Sequence, residues 1–183
     1  MAEPGLAWVS TTGGPHLVVS GKHAVHWEGV GPPSHGRVVA AKFRWDAAGP
    51  ATDYDRACDV GGWLGVIRVG RGRGVVLGNH PNAAAYCLWR GRHWVVKWVF
   101  APSEMSFLAY FEGVAACLKP EAAVSVRHPG GRLVLMDASD TPRSWLGEHA
   151  EFTLPAGLYS VTAVVSGATE LSFVAYEWVR AGA

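Results

Sequence analysis

The chain has 183 residues, of which 49% are hydrophobic, 17% charged and 11% aromatic. That is enough apolar side chain for one sizeable core or two small ones tightly joined, and it excludes a disordered or fibrous chain. Sixteen Lys and Arg against fifteen Asp and Glu leave a formal net charge of +1, without the excess that drives non-specific binding to nucleic acid or membrane surfaces.

The charge is unevenly spread. Residues 1–101 hold eleven basic and six acidic side chains, and residues 102–183 hold five and nine, which predicts an electrically two-ended molecule. Cys58, Cys87 and Cys117 are odd in number, widely spaced and form no CxxC pair. They read as reduced, buried thiols of a cytoplasmic protein. Glu3, Pro4 and Gly5 interrupt any leader-like opening, and no apolar run approaches the ~18 residues of a membrane span.

In chain order, the first regular element is an alternation of Val39, Ala41, Phe43 and Trp45 with Lys42 and Arg44 between them. It predicts a strand with one side in a sheet core, flanked by loops at GPPSHG (31–36) and AAGPAT (47–52). The segment TDYDRACDVGG (52–62) reads as a short helix, because Thr52 and Asp55 have capping-box spacing and Gly61-Gly62 end it. WLGVIRV, GRGR and GVVLG then form a hairpin, its turn provided by glycines that tolerate positive φ. Trp94, Val96, Trp98 and Phe100 share one face of the next strand, and His93 and Lys97 mix with Val95 and Val99 on the other, so both faces are partly covered.

From 103 to 118 the period changes. Phe107, Leu108, Phe111, Val114, Ala115 and Leu118 form one helical stripe, capped by Ser103 and stopped by Pro120, expected to lie across a sheet. Leu133–Met136 is a fully apolar strand. LPAG (154–157) matches a type I turn into a strand near Leu158, where Tyr159, Val161, Ala163 and Val165 alternate with Ser160, Thr162 and Val164. The expected class is α+β, mostly β, with antiparallel sheets in a sandwich or barrel-like arrangement and one main amphipathic helix packed on a sheet. The expected organisation is a single compact domain over 1–183, or two β-rich halves, 1–101 and 102–183, packed together.

Motifs for chemistry are sparse. His23 and His26 have i, i+3 spacing, but no HExxH, CxxC or third ligand completes a metal set. There is no GxSxG, and GRGRG (70–74) is neither GxGxxG nor followed by a helix that would hold phosphate. Asp53 and Asp55 diverge on a helix, which removes them as an acid/base pair, whereas Asp55 and Asp59 share a face. With Arg56 they make either an anchored helix or a partner-facing patch. No catalytic residue, metal or cofactor is assigned. Nine tryptophans remain: Trp94 and Trp98 belong to a core, while Trp27, Trp63 and Trp145 border glycine or polar loops and read as interface anchors, with Trp27 and Trp145 accessible.

The order WVSTTGGPHLVV, WEGV, DYDRACDV, WLGVIRVGRGRGVVLG, HWVVKWVF and LPAGLYSV resembles the immunity protein 21 family of bacterial polymorphic-toxin systems, from Trp8 to about Val179. DYDRAC is its most specific piece. The sequence departs from the pattern in an insertion-like stretch from Gly31 to Thr52 and at Asn79-His80. The resemblance implies a small, non-enzymatic cytoplasmic inhibitor that binds a cognate toxin, without a membrane or a cofactor; it does not name the toxin, and nothing in the sequence sets an oligomeric state. The partner-binding candidates are Trp27, Asp55, Arg56, Asp59, Trp145, Glu148 and Glu151. The acidic Glu148, Glu151, Glu170 and Glu177 would suit a nuclease's positive cleft. The rival readings are a β-domain that stacks nucleic acid near Arg71, Arg73, Arg90 and Arg92, and a small hydrolase with a pocket invisible in sequence.

Overall fold

Period-two and fully apolar segments pair into two antiparallel sheets in a computed structural model that describes residues 5–32, 36–78, 80–142, 147–167 and 170–182. One sheet has six strands in the order β1 (Trp8–Val9), β5 (Ala84–Trp89), β6 (Arg92–Phe100), β11 (Ser172–Arg180), β10 (Gly157–Gly167) and β7 (Pro120–His128). The other has five, in the order β3 (Leu64–Val69), β4 (Gly72–Leu77), β2 (His16–Ser20), β8 (Gly131–Asp137) and β9 (His149–Leu154). They stack as an open sandwich, not a closed barrel. Val18, Leu77 and Leu135 from one sheet meet Val95, Val161 and Tyr176 from the other in a shared interior. Each sheet takes strands from both sides of residue 101.

Both outer faces carry a second apolar layer. On the six-stranded sheet, helix α3 (Glu104–Val114) lays Phe107 and Phe111 over Trp94, Val96 and Phe173. Ser103 caps it by accepting from Ser106 N (3.2 Å), and a 3₁₀ turn at Ala115–Cys117 leads to Pro120 at the start of β7. On the five-stranded sheet, α1 (Gly21–Ala24), α2 (Asp53–Cys58) and the buried Trp27 cover Leu17, Val76 and Met136. Strands buried on both faces lose polar alternation, which is why Leu133–Met136 is apolar throughout.

Two expectations need correction. The predicted strand at Val39–Trp45 is irregular, with Phe43 and Trp45 exposed, because its amides bond to side-chain carboxylates instead of a neighbouring strand. The thiols are free as expected but not buried: Cys58 and Cys87 are half-buried, and Cys117 is exposed on the 3₁₀ turn.

Lys97 lies on the inner face of β6 with no exposed surface. Its ammonium donates to Leu77 O (2.8 Å) and His80 O (2.7 Å), and Tyr176 Oη donates to Gly78 O (3.5 Å). These bonds tie the crossover from β4 to β5, where the chain leaves one sheet for the other, to the floor of the six-stranded sheet. Burial pushes Lys97 down to about 7. His16, also fully buried, is pushed to about 3 by burial first and then by Lys97, and its neutral ring donates through Nε2 to Val9 O (2.9 Å).

Both groups bind fewer protons folded than unfolded. Stability is therefore lost as pH falls from 6.5 toward 3 through His16, and from 10.5 toward 7 through Lys97. Urea unfolding across about pH 4–9.5 is expected to give a midpoint that rises with pH. In Lys97→Met the rise above pH 7 should vanish, and the overall stability should drop by about 1–3 kcal/mol, as Leu77 O and His80 O lose their donor and Gly78 O, the third acceptor of the ammonium, keeps only Tyr176. A wild-type midpoint that is flat above pH 7 would contradict the buried ammonium.

Candidate functional site

DYDRACD is short, but each of its three carboxylates accepts from backbone amides. Thr52 and Asp55 form the predicted capping box: Thr52 N donates to Asp55 Oδ2 (2.6 Å), and Asp55 N donates back to Thr52 Oγ1 (3.2 Å). The second oxygen of Asp55 accepts from Trp45 N. One turn later, Asp59 accepts from Lys42 N (2.6 Å) and Phe43 N (2.7 Å). Asp53 points the other way, as residues two apart on a helix must, and accepts from Glu28 N (3.1 Å) and Arg56 Nη1 (2.6 Å). Such charge-assisted bonds are about twice as strong as neutral ones.

The consequence is a loop, residues 36–50, held on the outer edge of the molecule without secondary structure of its own. Phe43 and Trp45 meet Tyr54 of α2 edge-on, at ring centroid distances of 6.3 and 5.8 Å, yet Trp45 remains 63% exposed and Phe43 43%. Lys42 and Arg44 are exposed beside them. The start of the same loop forms one wall of a hollow of about 910 Å³ whose other walls carry Lys22, His23, Arg56, Arg68 and Arg71. Arg56 bridges α2 to the sheet, its second nitrogen donating to Arg68 O (2.7 Å). The glycines of GRGR serve this wall in two ways. Gly70 has φ +57 at the turn, and a Cβ on Gly72 would stand 2.1 Å from the His23 ring. The unbranched backbone there makes room for the imidazole.

The sequence candidates are scattered. Trp27 is a correction: expected accessible, it has no exposed surface, and its Nε1 donates to Ala138 O (2.9 Å). The residues after α1 fold back as a lid on the five-stranded sheet, so the flanking polar and glycine residues are lid and the indole lies beneath. Asp55 is likewise buried and its carboxylate is fully engaged, so it faces no partner. Asp59 is exposed but occupied by the loop amides, and Arg56 is half-buried on the groove wall. Trp145 lies outside the described residues. Glu148 lies just before the edge strand β9 and Glu151 within it; Glu148 accepts from Ser10 N (3.0 Å) and Glu151 pairs with Arg132 (2.8 Å). Glu177 is withdrawn against Arg92 on the other sheet, so the four C-terminal acids do not make one patch.

Sequence reasoning placed Trp45 in a sheet core and missed its exposure. A single alternating segment with breakers on both sides and no second arm of a hairpin was the available signal. The stacking groove does not form as predicted either. Arg71 and Arg73 flank the β3–β4 turn, whereas Arg90 and Arg92 belong to the β5–β6 hairpin of the other sheet, over Trp89 and Trp94. The closest approach to a catalytic set is a hollow of about 300 Å³ lined by Cys58, His80 and Tyr54. Burial raises the Cys58 thiol above its ordinary value, as do Asp55, Asp59 and Asp137, while its bond with Tyr54 works the other way. His80 stacks on Trp63. A thiol held protonated is a poor nucleophile. Among the described residues no three His, Cys, Asp or Glu side chains converge on a metal position, and no helix is long and apolar enough to cross a membrane.

Removing the Asp59 anchor should free the loop and leave the fold. In Asp59→Ala, trypsin cleavage after Lys42 and Arg44 is expected to accelerate at least about tenfold, with the melting temperature nearly unchanged. Asp55→Ala should instead cost about 1–3 kcal/mol in urea unfolding, because it removes a helix cap and a buried acceptor together. Unchanged cleavage in Asp59→Ala would mean that the carboxylate does not hold the loop.

No curated protein and no solved structure matches the chain. A family profile described as Immunity protein 21 matches residues 7–171, which spans the carboxylate-bearing helix, the hollow beside it and the strands from β1 to β10. The chain therefore belongs to the immunity protein 21 family, whose name assigns it an immunity role.

Proposed function

We propose that the protein neutralises a cognate toxin by occlusion, as a rigid binding module that performs no chemistry on it. The observation that supports this most is the loop 36–50. It has no regular structure, yet its amides at Lys42, Phe43 and Trp45 are fixed by carboxylates of α2. A tryptophan held out from such a frame loses little conformational freedom on binding, and Trp and Arg dominate the energetics of protein interfaces. Lys42 and Arg44, which alternate with the apolar Phe43 and Trp45 and are exposed like them, supply a polar rim.

The contact surface in this reading is the loop and the adjoining groove wall, with Arg56 included and Asp59 acting as the anchor beneath it. Glu148 and Glu151 on the β9 edge lie outside it. The partner is a protein that presents a recess for the Trp45 ring, and binding proceeds with little backbone change. The reading places the protein in the cytoplasm of the cell that also makes the toxin.

Co-expression with the product of the neighbouring open reading frame, as the candidate toxin, tests the proposal. The two proteins are expected to co-purify and the immunity protein to rescue growth. Trp45→Ala should weaken the complex by about 2 kcal/mol or more, on the order of thirtyfold in Kd, with no loss of thermal stability. A complex of wild-type affinity in Trp45→Ala would remove the loop from the interface. Absence of both binding and rescue would remove the function.

A further inference from the structure

Two hollows on the surface share a wall. The first is the cationic one of about 910 Å³ beside the loop; the second, of about 730 Å³, opens between the β3–β4 turn and the ends of β7 and β10. His23 and Arg71 line both, so the hollows adjoin along those two side chains as the two arms of one cationic groove. Seven of the sixteen Lys and Arg side chains line it, and no Asp or Glu is among its described lining residues. In a chain of net charge +1 such a concentration is a property of the surface and not of the composition.

The side chains are also arranged. Arg56 is oriented by Asp53 and by Arg68 O, and Arg68 by Gly70 O (3.1 Å), so the floor of the groove holds fixed guanidinium planes. Arg37, Arg71, Arg73 and Arg127 have no ion-pair partner among the described residues. His23 is kept below the ordinary imidazole value by burial and then by His26, Lys22 and His128 around it. Cations that line one groove without ion-pair partners are stabilised by an arriving anion, and guanidinium forks match carboxylates in bidentate geometry.

Resting on the immunity reading above, we propose that this groove seats a carboxylate-rich strip of the toxin. The polarity is the reverse of that expected from the acidic residues of the C-terminal part. A protein partner fits better than a nucleic acid. The described groove walls hold no Phe, Tyr or Trp on which bases would stack. The groove then acts mainly on the rate of association: opposite potentials steer the partner in, and the Trp45 loop beside it holds what arrives.

Stopped-flow association with the purified toxin, at low and high salt, tests this directly. Arg71→Glu/Arg73→Glu is expected to slow association at least tenfold at low salt. The charge-neutral Arg71→Gln/Arg73→Gln should slow it by a smaller factor, and Glu148→Lys/Glu151→Lys should stay within twofold of wild type. Unchanged melting curves confirm that these exposed positions tolerate the changes. If wild type binds the toxin and Arg71→Glu/Arg73→Glu associates at the wild-type rate, the groove proposal is overturned while the immunity reading stands. If wild type neither binds nor rescues, both fall. Tighter binding of wild type to a 20-base-pair DNA duplex than to the toxin, lost in the same variant, would also overturn it and assign the groove to nucleic acid.

Discussion

An irregular loop has amide donors that no neighbouring strand will satisfy, and in this protein carboxylates of one short helix satisfy them. Asp59 takes Lys42 N and Phe43 N, and Asp55 takes Trp45 N while capping its own helix. The exposed aromatic pair, the wall of the cationic groove and the cover over the five-stranded sheet all depend on that arrangement. Arg56 extends it by joining the helix to Arg68 O of β3. A six-residue helix is too short to be stable alone, so it is held in turn by Tyr54 and Ala57, buried against the sheet.

The sandwich beneath supplies the rigidity. Both sheets are buried on both faces, so the surface elements rest on strands that are covered from above and below. Lys97 adds a polar bond inside the apolar interior, linking the β4–β5 crossover to the opposite sheet. An ammonium in that position carries a desolvation cost that hydrophobic residues would not. Its three carbonyl acceptors fix where the chain passes between sheets, and hence where β4 and the turn before it lie. The groove's Arg71 and Arg73 flank that turn.

Much of the fold was legible because its signals are local. The capping box at Thr52, the stripe of Phe107 and Phe111, the hairpin at 63–78 and the apolar run at Leu133–Met136 each depend on neighbours in sequence, and each formed. What was not legible depends on distant partners. Val39–Trp45 alternates like a strand, but carboxylates ten to seventeen residues on take its amides. Trp27 looked like a surface residue because its neighbours are polar, whereas a carbonyl 111 residues away accepts its indole N–H. The groove was invisible for the same reason: Lys22, Arg37, Arg71 and Arg127 are dispersed in sequence and come near one another only when elements from both halves of the chain fold together. The family resemblance, by contrast, was carried by short motifs and was readable at once.

The central claim is that a preformed surface, and no chemical step, carries the immunity function, and that this surface is the carboxylate-held loop with its groove. Amide hydrogen exchange of the free protein and of its complex with the toxin tests it most directly. The account predicts slowed exchange confined to residues 36–50 and the β3–β4 turn, with β9 and α3 exchanging alike in both states. Protection centred on the β9 edge or on α3, with residues 36–50 unchanged, would contradict it.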